Sequence, residues 1–141
     1  MEKPKVLFLC TQNSARSQMA EGLLRHLYGE HYQVYSAGTR PAAMNPFAVR
    51  AMERAGVDIS QHRSKSVDEF IDSEFDFVVT VCDRAREECP YFPSGKNIYH
   101  RSFADPAAFE GTDEEKLEYF GQVRDEIRRW IEETFSPQSL K

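Results

Sequence analysis

The sequence predicts an α/β fold: a central four-stranded parallel sheet flanked by helices on both faces, in a single domain over residues 1–141. Three observations predict it. Short apolar runs alternate with amphipathic segments in the order strand, helix, strand, helix, strand, strand, helix. The first run, Val6-Leu7-Phe8-Leu9-Cys10, is continuously apolar, as a strand buried on both faces must be. The chain has 141 residues, 40% hydrophobic and 29% charged, enough apolar mass for one core and too much for wholesale disorder.

The elements follow in order. After the strand at 6–10 and a polar loop, Ala20, Leu23, Leu24 and Leu27 fall at i, i+3, i+4 and i+7, one face of a helix that Gly29 ends. Residues 33–37 read as a second strand closed by Gly38. Asn45-Pro46 is an N-cap followed by proline in the first turn. The helix it opens turns Phe47, Ala48, Ala51, Met52 and Ala55 inward and stops at Gly56. Residues 75–81 form the most apolar strand, and 97–103 a shorter fourth. Residues 83–89 are charged and rich in helix formers, which predicts a short helix before Pro90. The last helix begins after Thr112 with acids in its first turn and carries Leu117, Phe120, Val123, Ile127, Trp130, Ile131 and Phe135 inward.

Composition narrows the partners. The net charge of −5 excludes a general affinity for nucleic acid or anionic lipid. No apolar run approaches the roughly 20 residues of a membrane helix. The first residues lead into only five apolar ones, too few for a signal-peptide core, which predicts a cytoplasmic protein. The even charge distribution predicts a monomer. Three cysteines, Cys10, Cys82 and Cys89, are too few and odd in number for a disulfide scaffold. In a reducing compartment they rest as thiols, either as apolar filler or as redox groups.

Parallel sheets place ligands at the carboxyl ends of their strands. Cys10, Cys82 and Asp105 stand at or just beyond three such ends. Between Cys10 and Arg16 lie Thr11, Gln12, Asn13, Ser14 and Ala15, and a helix begins at once with Ser17. A strand-to-helix loop of this length can turn its N–H groups toward one point, and the helix terminus adds more N–H groups and partial positive charge. Arg16 can span two oxygens of a tetrahedral oxyanion. Such surroundings predict a Cys10 pKa below the ordinary thiol value of about 8.5, with Ser17 donating to the thiolate. The candidate oxyanion-binding residues are therefore 11–17, with Cys10, Arg16 and Asp105 as catalytic candidates.

With Asp105-Pro106 near the C-terminal end, Cys-x5-Arg-Ser resembles the low-molecular-weight protein tyrosine phosphatase superfamily. Within it, Arg16-Ser17-Gln18-Met19-Ala20-Glu21-Gly22 together with Cys82-x6-Cys89-Pro90 is similar to the thioredoxin-coupled arsenate reductases, over residues 5 to about 135. The resemblance implies a three-cysteine relay. Cys10 attacks arsenate, Asp105 protonates the leaving hydroxide, Cys82 then takes Cys10 into a disulfide as arsenite leaves, Cys89 resolves it, and thioredoxin or glutaredoxin reduces the result. No cofactor or metal is implied. On this reading the Cys82–Cys89 disulfide cannot span an intact helix, because seven helical residues separate their ends by about 10.5 Å against the roughly 4.4–6.8 Å of a disulfide. Oxidation should unwind the segment and present Tyr91 and Phe92 to thioredoxin.

Departures and rivals are specific. Relatives often carry Gly in place of Gln12 and cysteine in place of Ala15. Some bind potassium through residues matching Asn13, Glu21 and Ser36, but Lys65 stands where their Asp would be, and its ammonium can take the ion's place beside Glu21. A tyrosine phosphatase would use the same Cys10, Arg16 and Asp105 without a second thiol, and commonly carries tyrosines where this chain has Ala107 and Ala108. A non-catalytic anion-binding module has no use for Cys89. A zinc site lacks close cysteine or histidine pairs. His26, His31, His62 and His100 show no ligand spacing and read as surface or core residues.

Overall fold

The computed structural model describes residues 3–82 and 97–137. The predicted short helix at 83–89, with Cys89, Tyr91 and Phe92, lies outside the described residues. The elements are β1 (Lys5–Cys10), α1 (Arg16–Tyr28), β2 (Gln33–Gly38), α2 (Pro46–Arg54), β3 (Phe77–Thr80), β4 (Asn97–His100) and α3 (Asp113–Phe135). Short 3-10 turns cover Val67–Phe70 and Pro106–Ala108.

All four strands are parallel, in the order β2-β1-β3-β4. The chain moves from β1 outward to β2, then returns past β1 to β3. This reversal opens a crevice between the carboxyl ends of β1 and β3, and it decides where the functional groups meet. Leu9 pairs with Thr80, so Cys10 ends one wall of the crevice and Cys82 lies just past the other. From Val6 to Cys10 every residue of β1 is buried, which requires cover on both faces of the sheet.

Local chemistry sets the helices. Asn45 caps α2 by accepting from the Phe47 N–H at 2.8 Å, with Pro46 behind it. Gly56 closes it at a φ of +80°, a conformation that favours glycine. Thr112 and Glu115 form a reciprocal capping box on α3. The α3 stripe is buried as predicted at Leu117, Phe120, Val123, Ile127, Ile131 and Phe135, while Trp130 is half-buried. Phe135 seats its ring edge-on against Phe8 of β1 and Phe77 of β3, tying the end of α3 to the sheet centre.

Two strands are shorter than predicted. β3 starts at Phe77 because Asp76 is engaged with Lys5: its side chain accepts the Lys5 N–H at 2.8 Å, and its own N–H donates to the Lys5 carbonyl. β4 stops at His100. Beyond it the Arg101 and Phe103 N–H groups still bond Thr80 and Val81, but the chain has left the regular ladder and bends toward the crevice.

Candidate active site

The loop between β1 and α1 is held from outside, carbonyl by carbonyl. The Cys10, Thr11, Gln12 and Ser14 carbonyls accept N–H groups from Thr39, Arg40, Ala42 and Asn45 at 2.7–3.2 Å. The Asn13 carbonyl accepts Ser64 Oγ at 2.7 Å and Gln18 Nε2 at 3.2 Å. A trans peptide directs its N–H opposite its C=O. Carbonyls anchored outward therefore turn the N–H groups of residues 11–15 inward. The N-terminus of α1, with no acid in its first turn, adds its dipole at the same place. Gly38 permits the approach of the backing strand: a Cβ there would lie 2.6 Å from the Thr11 carbonyl oxygen and 2.9 Å from the Asn13 nitrogen.

The result is a cavity of about 450 Å³ at the crevice, lined among others by Cys10, Thr11, Ser14, Arg16, Cys82 and Asp105. Gln12 and Ala15 also line it, with Ser102, Phe103 and Ala107. Most of the predicted site is thus brought together. The side chains of Asn13 and Ser17 are the exceptions. They are fully buried behind the loop, where they orient other groups. Asn13 takes a φ of +52° to do so.

That network has a defined direction. Asn13 Oδ1 accepts from Gln18 Nε2 and from the Lys65 N–H, both at 2.9 Å. Asn13 Nδ2 therefore donates, to Ser17 Oγ at 2.7 Å and Ser36 Oγ at 3.0 Å. Ser17, already receiving, gives its own proton to Cys10 Sγ at 3.2 Å. At the outer end, Gln18 Nε2 is fixed as a donor, so its Oε1 accepts from Nδ1 of His62 at 2.8 Å. Burial holds the His62 pKa below its ordinary value. In the sequence His62 reads as a surface or core residue and Gln18 stands only as part of the Arg16–Gly22 motif, without a role of its own. The position of Gln18 beside Ser17 on α1 was the available signal.

The environment of Cys10 corrects one expectation. Its pKa is raised well above the ordinary thiol value, first by the neighbouring Cys82 side chain and then by burial. Ser17 and Arg16 oppose the rise without reversing it. The loop and helix terminus favour the thiolate, but a second buried thiol beside it works against ionisation, because two neighbouring buried sulfurs cannot both carry charge. Cys82 also lies 3.4 Å from the Thr11 hydroxyl. Cys10 and Cys82 are both thiols here, each 3% exposed.

Arg16 is held ready at the cavity wall, its Nη1 donating to the Phe103 carbonyl at 3.0 Å and its Nη2 3.8 Å from Asp105 Oδ2. Asp105 is exposed and anchored by the Ala107 N–H on Oδ1. Nothing in the local sequence pointed to the Phe103 carbonyl, a backbone group that any residue would carry. Behind the loop, the buried carboxylate of Glu21 accepts from Ser36 Oγ and pairs with Arg25 at 2.6 Å and Lys65 Nζ at 3.7 Å. The Lys65 ammonium also donates to the Arg63 carbonyl at 2.9 Å. Among the described residues, no group of three or more Cys, His, Asp or Glu side chains is arranged to hold a metal ion, and no helix is long and apolar enough to cross a membrane.

Comparison with known proteins accords with this geometry. The chain is 48% identical over 131 residues to an arsenate reductase of Halalkalibacterium halodurans, covering 93% of this chain and 94% of that protein. Among solved structures, it is similar to an arsenate reductase in the phosphate-binding state, with a TM-score of 0.81, 30% identity and coverage of 94% and 97% of the two chains. It also resembles the thioredoxin-dependent arsenate reductase of Corynebacterium glutamicum, with a TM-score of 0.65 and 30% identity over 95% of this chain and 63% of that one. The family model for low molecular weight phosphotyrosine protein phosphatases matches residues 5–141. A cysteine under an inward-facing loop, an arginine across the cavity and a common fold along nearly the whole chain have one source: this chain belongs to the low molecular weight phosphotyrosine protein phosphatase family.

Proposed function

We propose that this chain is one catalytic unit that reduces arsenate to arsenite in the cytoplasm, with thioredoxin as the reductant. The observation that carries this reading is that two thiols, Cys10 and Cys82, line one anion cavity. A phosphatase needs one thiol, and a reduction by two electrons needs two.

Arsenate enters the cavity, its oxygens meeting the loop N–H groups and Arg16. With its pKa raised by Cys82 and burial, Cys10 gives its proton to the dianionic substrate as it binds. Cys10 Sγ then forms a bond to arsenic, and one oxygen leaves as water with a proton from Asp105. Cys82 Sγ, its proton passing to an oxygen on arsenic, next attacks Cys10 Sγ. The S–S bond forms, the S–As bond breaks, and its electron pair stays on arsenic, which departs as arsenite. Cys10 and Cys82 line the same cavity. With strands about 4.8 Å apart and a rise of about 3.3 Å per residue, residues one diagonal step apart lie about 5.8 Å from Cα to Cα, inside the disulfide range. Cys82 sits past the last ladder residue of β3, so strand alternation does not fix its side-chain direction. Cys89 would then attack Cys82 and leave the Cys82–Cys89 disulfide for thioredoxin.

The test is NADPH oxidation with arsenate, thioredoxin and thioredoxin reductase, run beside hydrolysis of para-nitrophenyl phosphate. Arsenate-dependent oxidation is expected, with glutaredoxin in place of thioredoxin giving less. Rapid ester cleavage without arsenate-dependent oxidation would assign the chain to the phosphatases instead. Cys89→Ala should complete one turnover and stop as a Cys10–Cys82 disulfide, seen as two protons lost by intact mass. Multiple turnovers in this variant would refute the relay.

A further inference from the structure

We infer that the reduced protein has a second chemical capacity: Cys10 and Cys82 form a two-thiol chelate for a trivalent, thiophilic arsenic centre. The two cysteines line one cavity, Cys10 at the end of β1 and Cys82 just past the end of the neighbouring β3. Each is oriented by a hydroxyl, Ser17 Oγ at 3.2 Å from Cys10 and Thr11 Oγ1 at 3.4 Å from Cys82. Two preplaced sulfur ligands suit a centre that closes its coordination with two thiolates and one further group. They do not suit zinc, which takes four ligands, at least three of them from protein. Among the described residues, no third Cys, His, Asp or Glu joins the two cysteines in a metal-holding group.

The chemistry needs no reductant. As(OH)3 meets two thiols, two As–S bonds form and two As–O bonds break. The two hydroxides leave with the two thiol protons as water, and arsenic stays trivalent. The remaining As–OH faces the inward N–H groups of the loop. A monosubstituted arsenical behaves alike: phenylarsine oxide and two thiols give the dithioarsonite and one water. A cavity of about 450 Å³ has room for its ring. The high thiol pKa of Cys10 does not block this step, since the proton leaves with the hydroxide. The site exists only while both sulfurs are reduced, and its occupant covers the anion cradle. The inference rests on the thiol pair and stands whether or not the chain turns over arsenate.

The experiment uses the full chain carrying Cys89→Ala, so that the third thiol cannot compete. Equimolar phenylarsine oxide should give a 1:1 adduct by intact mass, displaced by a dithiol and resistant to the same concentration of a monothiol. Adding Cys10→Ser or Cys82→Ser to this background should weaken binding about 100-fold or more, because the second As–S bond is intramolecular at high effective concentration. Phosphate binding by calorimetry checks the fold of the Cys82→Ser variant. As a second measurement, the Cys89→Ala protein oxidised to its Cys10–Cys82 disulfide should bind none and recover on reduction. Equal affinity without Cys82, or retention by the oxidised protein, would overturn the inference. So would an adduct that wild type forms and Cys89→Ala does not, since the partner sulfur would then be Cys89.

Discussion

Ser17→Ala tests whether the hydrogen-bond chain behind the loop acts on the nucleophile. Asn13 can only donate to Ser17, so the Ser17 hydroxyl has its single proton left for Cys10. The substitution deletes that bond and little else, because Asn13 Nδ2 keeps Ser36 Oγ as acceptor at 3.0 Å. A hydrogen bond to a charged group contributes about 1.5–3 kcal/mol. At 1.36 kcal/mol per tenfold, the thiolate population below its titration range should fall about 10- to 100-fold. The assay is iodoacetamide alkylation of Cys10 across pH, in a Cys82→Ser/Cys89→Ala background where one thiol reacts. The rate near neutral pH should drop by that factor, the profile should move to higher pH, and the plateau should hold. An unchanged profile, or a lower plateau without displacement, would refute the reasoning: Ser17 would then pack against Cys10 without stabilising its anion.

Three further outcomes are expected. Gly38→Ala forces a Cβ against two backbone atoms of the loop, so it should cost about 1–3 kcal/mol and weaken phosphate binding. Wild-type Tm and phosphate affinity in this variant would show that the loop has slack. With Lys65 Nζ beside Glu21, exchanging sodium for potassium should leave kcat/KM for arsenate unchanged, and a several-fold rise would show a cation displacing the ammonium. Because the folded chain binds the Cys10 proton more tightly than the unfolded one, that contribution to stability is complete below the unfolded thiol pKa of about 8.5 and is lost as pH rises beyond it. Tm should therefore fall more steeply in alkali for wild type than for Cys10→Ser, and parallel slopes would show that the thiol is not perturbed.

The sequence by itself determined the alternation of strands and helices and the caps at Asn45 and Thr112. It also determined the convergence of Cys10, Cys82 and Asp105 at one sheet edge. Each depends on a short-range regularity: a period of two or 3.6 residues, a cap within three positions, a strand that ends where apolar residues end. The register of Cys10 and Arg16 is likewise local, since a helix beginning at Arg16 fixes where the guanidinium starts. Tertiary structure alone decided the chemistry of the nucleophile. The Cys82 side chain that raises the Cys10 pKa comes from far along the chain, as does the His62 ring that bonds Gln18. So do the N–H groups of residues 39–45 that turn the loop inward. None of these leaves a period or a spacing to read. They exist because β3 lies beside β1 and the segment after β2 folds back over the loop, and a hydrogen bond between such segments depends on their packing rather than on the identity of either neighbour in sequence.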